Sequence, residues 1–383
     1  MLERITSKTI SRRLASMPAV ALIGPRQAGK TTLARSMSRS YYDLEQESER
    51  LRLDLEWSQI ADSKELVVLD EAQAAPEVFP RIRGAIDADR RRNGRFLLLG
   101  SVSPTLMTQV SESLAGRLSL VELTPLLWSE LETKVSRSRA WLMGGFPDGG
   151  VLAPRAFPQW QTDYLSLLIQ RDLPNWGLTA TPQTTERLVR MLAGVHGQLW
   201  NASMLAKSLG LSYHTLNRYL DYFIGSFLVR RLGPFHANLR KRLTKSPKMY
   251  WRDSGVLHSL MNVPHQSSLL VQPWVGSSWE GFVIEQILGM LSALGIPHEA
   301  YHFRTSDGYE IDLVLEMAGG LWAIGVKLTS SPTPADMTRL DQTADLIHAD
   351  RRFLVSQIAQ PAGDDHRASC DLPWILDRIR ATV

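Results

Sequence analysis

Apolar and polar positions alternate differently along three stretches of the chain. Up to residue 135, short runs rich in Val, Leu and Ile recur between longer amphipathic segments. Ala19–Ile23, Tyr41–Leu44, Leu66–Leu69, Arg95–Leu99 and Leu118–Leu123 read as strands of a buried parallel sheet. Leu2–Met17, the segment opening at Thr32, Glu45–Ile60 and Pro76–Arg92 read as helices. A Gly- and Pro-rich passage, 144–158, marks a boundary, and Trp160–Arg171 is a helix that stops ahead of Pro174. From Thr184 the period is helical, with Leu188, Met191, Leu192 and Val195 on one stripe. Two short helices follow. Asn201 or Ser203 caps the first, Gly210 makes the turn, and Ser212 caps the second, which opens at Tyr213. That spacing is a helix-turn-helix, and a strand over Phe227–Leu232 suggests its winged form. The last stretch predicts a helix over Trp279–Leu294, then strands over Ala300–Arg304, Tyr309–Leu315 and Leu321–Lys327.

Composition adds bounds. At 383 residues the chain has room for two or three domains, and its 44% hydrophobic, 21% charged make-up is that of a soluble globular protein. A net charge of +4 neither demands nor excludes nucleic acid. One cysteine, Cys370, rules out an internal disulfide framework and suits a reducing compartment. The first apolar run has no signal-peptide layout, and the stretch Phe282–Ile296 is broken by Glu285 and Gln286 and too short to span a bilayer. A cytoplasmic location without membrane contact is expected.

Candidate chemistry centres on Gly24-Pro25-Arg26-Gln27-Ala28-Gly29-Lys30-Thr31-Thr32, which lies between the first strand and the first long helix of the sheet region. Glycines at this spacing let successive backbone N–H groups turn toward phosphate oxygens, and the helix dipole adds to the attraction. Lys30 is positioned to reach the β- and γ-phosphates of ATP, and the Thr31 hydroxyl to ligate Mg²⁺. About forty residues later, Asp70 ends an apolar strand as a second group for the Mg²⁺ shell, and Glu71 follows as the residue that polarises the attacking water. Ser101, at the end of the fourth strand, is a candidate polar sensor of the γ-phosphate. Arg117 is a candidate for stabilising its charge, in cis or from a neighbouring subunit.

Taken together, the Gly-Pro-Arg-Gln-x-Gly-Lys-Thr-Thr run, Leu69-Asp70-Glu71, Leu97-Leu98-Leu99-Gly100-Ser101 and Leu114-Ala115-Gly116-Arg117 resemble one group of prokaryotic AAA+-type P-loop ATPases. The later segments Gly144–Pro147, Arg171–Pro174 and Trp279–Glu285 are similar to that group as well. The resemblance implies ATP binding and hydrolysis, and a C-terminal domain of unknown function.

Tyr213, His214, Asn217 and Arg218 are expected on the outer face of the second short helix as readers of a DNA groove. Arg230, Arg231, Arg240, Lys241, Arg242, Lys245 and Lys248 form a basic run suited to phosphate contact. His196 and His258, lacking partners at metal spacing, are expected to be packed or surface histidines. The C-terminal layout resembles restriction-endonuclease-like folds of the PD-(D/E)XK type. In those folds a helix acid, a strand Asp and an acid-x-Lys pair converge on a divalent metal. Asp312 and Lys327 match, and Glu280 or Glu285 is the helix acid. Gly325 stands where the last acid belongs, so nuclease activity is not expected.

The expected fold is therefore α/β: a P-loop NTPase parallel sheet (1–135), a helical linker (136–183), a winged-helix-like domain (184–233) and a degenerate α/β nuclease-like domain (234–383). The expected function is a Mg²⁺-dependent ATPase that couples turnover to domains holding double-stranded DNA or a protein partner, with homo-oligomers as an allowed assembly. The rival reading is a nucleotide-gated protein-binding switch with negligible hydrolysis.

Overall fold

Strands apolar on both faces have to be covered on both faces, and the three central strands of the first sheet are. The computed structural model describes residues 2–100, 114–236 and 244–382. It divides into two compact units, one built on residues 1–126 and the other on most of 127–383.

In the first unit, α1 (Thr6–Ser16), β1 (Ala19–Ile23), α2 (Lys30–Met37), β2 (Ser40–Asp43), α3 (Glu47–Asp62), β3 (Val67–Asp70), α4 (Val78–Ala88), β4 (Phe96–Gly100) and β5 (Leu118–Glu122) follow in order. The five strands are parallel, in the order β2-β3-β4-β1-β5. Alternate residues feed two cores. Ala19, Ala21, Val67, Leu69, Phe96 and Leu98 pack with Leu53, Phe79, Ile82 and Ile86 of α3 and α4. Val20, Leu22, Val68, Leu97 and Leu99 pack with Ile10, Leu14 and Leu33 of α1 and α2. Because β4 lies between β1 and β3, the carboxyl ends of β1 and β3 flank a crevice at which an α/β sheet places ligands.

The second unit opens with α5 (Arg137–Met143), α6 (Gln159–Leu167), α7 (Pro182–Gly194), β6 (Gln198–Leu199), α8 (Ala202–Leu209) and α9 (Tyr213–Gly225). Asn201 caps α8 by accepting from the Met204 N–H at 3.0 Å, Gly210 ends it in the left-handed conformation (φ 67°), and Ser212 accepts from the Thr215 N–H at 3.1 Å. Leu188, Leu192, Leu205, Leu216, Leu220 and Phe223 bury the inner faces of these helices.

Next come β7 (Val229–Pro234), β8 (Lys248–Trp251), α10 (Ser254–Leu260), α11 (Gln266–Leu270), α12 (Val275–Leu294), β9 (His298–Arg304), β10 (Glu310–Met317), β11 (Gly320–Val326), α13 (Pro334–Leu346), β12 (Arg351–Val355), β13 (Ala362–Gly363), β14 (Arg367–Cys370) and α14 (Leu372–Arg380). The strands form one sheet, β13-β14-β12-β11-β10-β9-β7-β8-β6. The boundary expected between 233 and 234 therefore falls inside β7, which pairs with β8 on one side and with β9 on the other. Among the described residues no helix is long and apolar enough to cross a membrane.

Candidate functional site

The strand–loop–helix order at 19–37 builds a loop that only particular residues can follow. Gly24 takes φ 152°, and a side chain there would run into the carbonyl of Leu123. Gly29, at φ 92°, turns the chain into α2. Lys30 is 6% exposed, and its ammonium donates to the Gly24 carbonyl at 3.0 Å and to the Pro25 carbonyl at 2.9 Å. Burial pulls its pKa down to about 8, against the upward pull of Glu71 and Asp70. A lysine so placed is a charge held out of water beside a loop of backbone donors, which is what a polyphosphate requires.

The strand ends bring the acids to the same place. Thr31 Oγ1 donates to Asp70 Oδ2 at 2.7 Å, and Tyr41 OH to the same oxygen at 2.6 Å. The Glu71 N–H donates to Asp70 Oδ1 at 2.9 Å. Glu71 itself takes a left-handed backbone (φ 48°, ψ 48°), unusual for a non-glycine residue and characteristic of functional sites. Its carboxylate accepts from Gln73 Nε2. Hard oxygen donors on Thr31 and Asp70, beside the loop at 24–31, suit Mg²⁺.

Two contributors escaped the sequence reading. Arg4 is buried and donates to the Ala28 carbonyl at 2.9 Å and the Thr124 carbonyl at 2.7 Å, pinning the loop from beneath. Nothing local marks it, because its partners lie 24 and 120 positions away. Tyr41 is marked by the sequence only as a strand residue. Burial, then its bond to Asp70, pushes its phenol pKa up, and Arg35 lies 4.3 Å over its ring.

Arg117 is not brought to this site within the chain. It precedes β5, and its carbonyl accepts from the N–H of Ala19, the first residue of β1. The loop at 24–31 leaves the other end of that strand, five residues or roughly 16 Å away. Its guanidinium instead grips Asp87 at 2.8 and 3.0 Å. A role in cis is thereby corrected. Ser101 lies outside the described residues.

On α9, Tyr213, His214 and Arg218 are exposed, as expected of groove readers. Asn217 is not available: its Oδ1 accepts from Trp200 Nε1 at 3.0 Å and its Nδ2 donates to the Tyr213 carbonyl at 3.1 Å. The basic run is corrected only in part: Lys245 is exposed, as expected, but other members are engaged within the chain. Arg230 pairs with buried Glu285, Arg231 lies 3.3 Å from Asp221, and Lys248 points inward. Arg240, Lys241 and Arg242 lie outside the described residues. His196 and His258 are buried and hydrogen-bonded, His196 to the Ser277 carbonyl and the Trp251 N–H, His258 to the Leu142 carbonyl and Ser278 Oγ, and burial lowers their pKa values to about 3 and about 4.

The C-terminal acids are arranged differently from expectation. Glu285 is held by Arg230 and Arg252, so the acid on α12 that meets Asp312 is Glu280. The lysine that meets them is Lys248. It is 3% exposed and lies 2.9 Å from Glu280, 2.7 Å from Glu310 and 3.7 Å from Asp312. Tyr250 OH donates to Glu280 as well. Lys327 is exposed, with its charge acting on Asp336. A side chain at Gly325 would meet Leu340 and Leu354 at 3.5–3.6 Å, an apolar setting in which an acid has no partner. Burial, then the charge of Asp312, raises the Glu280 pKa to about 7 against the downward pull of Lys248 and Tyr250. Burial also pushes Lys248 toward its neutral form, but the three acids outweigh it and its pKa rises.

Comparison with known proteins adds the following. Residues 16–132 match the model of an AAA domain, 136–267 a domain of unknown function (DUF8612) and 275–372 a second one (DUF4143). The uncharacterized proteins Rv2008c of Mycobacterium tuberculosis and Mb2031c of Mycobacterium bovis are each 38% identical over 335 residues, covering 86% of this chain and 75% of theirs. Among solved structures, the Walker-type ATPase PABY2304 of Pyrococcus abyssi is 16% identical, with a TM-score of 0.49 over 68% of this chain and 96% of that one.

Proposed function

This chain belongs to the family of prokaryotic AAA-type P-loop ATPases that carry a C-terminal domain of unknown function, and from that membership we propose that it hydrolyses ATP. The observation that carries the reading is the buried Lys30 ammonium on the carbonyls of its own loop, close to the Thr31–Asp70 pair. ATP is held by the backbone N–H groups of 26–32, with Lys30 moving its donors from the loop carbonyls to the β- and γ-phosphate oxygens. Mg²⁺, when bound, neutralises phosphate charge, and the Thr31 hydroxyl and Asp70 carboxylate are the groups that hold it. Glu71 orients a water in line with the γ-phosphorus and takes up its proton as the new P–O bond forms and the bond to ADP breaks. In this reading Arg117 serves a γ-phosphate of a neighbouring copy, after leaving Asp87, and requires a homo-oligomer.

Turnover is coupled to the second unit. The order α7, β6, α8, α9, β7, β8, with β8 antiparallel to both β6 and β7, supports a winged helix there. Exposed Tyr213, His214 and Arg218 are its candidate contacts to double-stranded DNA. The strands that follow support a nuclease-like frame without nuclease activity. A single buried cysteine fits the cytoplasm.

The test is phosphate release from Mg²⁺-ATP by the full chain, with and without duplex DNA at two salt concentrations. Glu71→Gln is expected to lower turnover by on the order of 10²–10⁴-fold while keeping ATP binding. Tight ATP binding with no turnover to lose would establish the switch reading. Stimulation by DNA that fades as salt rises is expected for phosphate-backbone contact. Hydrolysis indifferent to DNA would assign the second unit to a protein partner.

A further inference from the structure

Carboxylates in a nuclease-like frame gather to hold a divalent cation, and here three of them gather around a side chain. Glu280 comes from α12, Glu310 and Asp312 from β10, and the group they surround is the Lys248 ammonium from β8. We propose that Lys248 is a built-in cation that takes the place of a divalent metal between these acids and leaves the C-terminal domain a metal-independent binding frame. The inference rests on the nuclease-like reading for what the carboxylates would otherwise hold, and on the geometry for the rest.

An ammonium offers three N–H donors, and carboxylates from two elements stand around it at 2.7, 2.9 and 3.7 Å. The space a metal would need is filled by nitrogen, and a second cation on the same oxygens would be repelled by it. Tyr250, two residues along β8, points the same way and donates to Glu280, so one face of that strand supplies both donors. Arg304 approaches Glu310 from outside at 3.6 Å and adds further positive charge. Lys248 is also anchored by its strand: β8 pairs along its length with β7. Leaving the cluster would strand three half-buried carboxylates without their shared counter-charge.

The test uses the full chain carrying Asp70→Asn, so that the P-loop contributes no metal site, with Mn²⁺ as the probe and free Mn²⁺ read by electron paramagnetic resonance. With Lys248 present, no bound Mn²⁺ is expected at about 1 mM. Lys248→Met is expected to create a single site with Kd on the order of 10⁻⁴–10⁻³ M. That site should vanish when Asp312→Asn is added. A folded Lys248→Met chain that binds no Mn²⁺ would overturn the proposal. If Lys248→Met does not fold, the Lys248 chain decides alone: Mn²⁺ bound to it and lost with Asp312→Asn overturns the proposal, and no such binding upholds it. Metal-dependent DNA cleavage lost with Asp312→Ala would instead sink the underlying reading of an inactive nuclease frame.

Discussion

Two buried lysines in this molecule have opposite fates. Lys30 is surrounded by backbone carbonyls of a phosphate-type loop, with acids near enough to feel but not to pair, and burial lowers its pKa to about 8. Lys248 is enclosed by three carboxylates, and its pKa is raised against burial. The first is a charge whose partner has been left out, and its energy is available to an anionic ligand. The second is a charge already neutralised by the chain. Burial alone therefore does not identify a functional lysine; what decides is whether the fold supplies the counter-charge.

The largest test of this contrast is stability. Lys248→Met leaves three half-buried acids without their cation and is expected to cost about 3–5 kcal/mol in denaturant unfolding. Lys30→Met removes a lysine whose charge is unfavourable when buried, and is expected to gain roughly 1–3 kcal/mol while abolishing ATP binding. The linkage has a definite sign. A lysine with a lowered folded pKa penalises the fold fully below about pH 8, and the penalty lifts as pH rises toward the ordinary value of 10.5. Equal losses in both variants would show that Lys30 is a structural group like Lys248, and the comparison would fail.

The two sites also differ in how far the sequence exposed them. The P-loop could be read because its parts are contiguous: a strand, a turn that demands glycine, and a helix, all within 19–37. Asp70 and Glu71 followed because strand ends at one edge of a parallel sheet are forced together. The sheet is parallel with β4 between β1 and β3, so the carboxyl ends of β1 and β3 lie at the same edge. The Lys248 cluster is discontinuous. Its members come from β8, α12 and β10, and each is an ordinary charged residue within a mixed neighbourhood. The acid-x-Lys spacing points to Lys327 and Gly325, whereas tertiary packing delivers Lys248, which the sequence places in a basic run suited to phosphate contact. Arg4 was hidden for the same reason: its role depends on loops far along the chain.

A smaller effect concerns pH. With the Lys30 pKa at about 8 in the free protein, the fraction of charged lysine falls steeply above that value. Only the charged form pairs with phosphate, so ATP affinity is expected to fall by about tenfold per pH unit above pH 8. The decline should be absent below pH 7, where Lys30 is fully charged. Fluorescent-nucleotide titration from pH 6.5 to 9.5 would measure it, with the buffers' ionic strength held constant. A flat profile would mean that the loop keeps Lys30 charged without a ligand, removing the distinction from Lys248.

The smallest effect belongs to Tyr41, which shares Asp70 Oδ2 with Thr31. A carboxylate oxygen has two lone pairs, and both donors converge on this one, leaving Oδ1 to the Glu71 N–H. The phenol thus fixes the rotation of Asp70 before any ion arrives, as outer partners of metal ligands do. Tyr41→Phe keeps the ring that packs under Arg35 and deletes only that bond. The Mg²⁺ concentration for half-maximal ATP turnover is expected to rise by about tenfold, with turnover at saturating Mg²⁺ unchanged. A fall in that concentration would mean that Tyr41 competes with the metal for the oxygen. The Thr31–Asp70 site would then resemble the Lys248 cluster in one respect, an internal donor holding an acid that a cation could use. The difference would remain quantitative, since a neutral phenol is displaced by Mg²⁺ far more readily than a buried ammonium bound to three carboxylates.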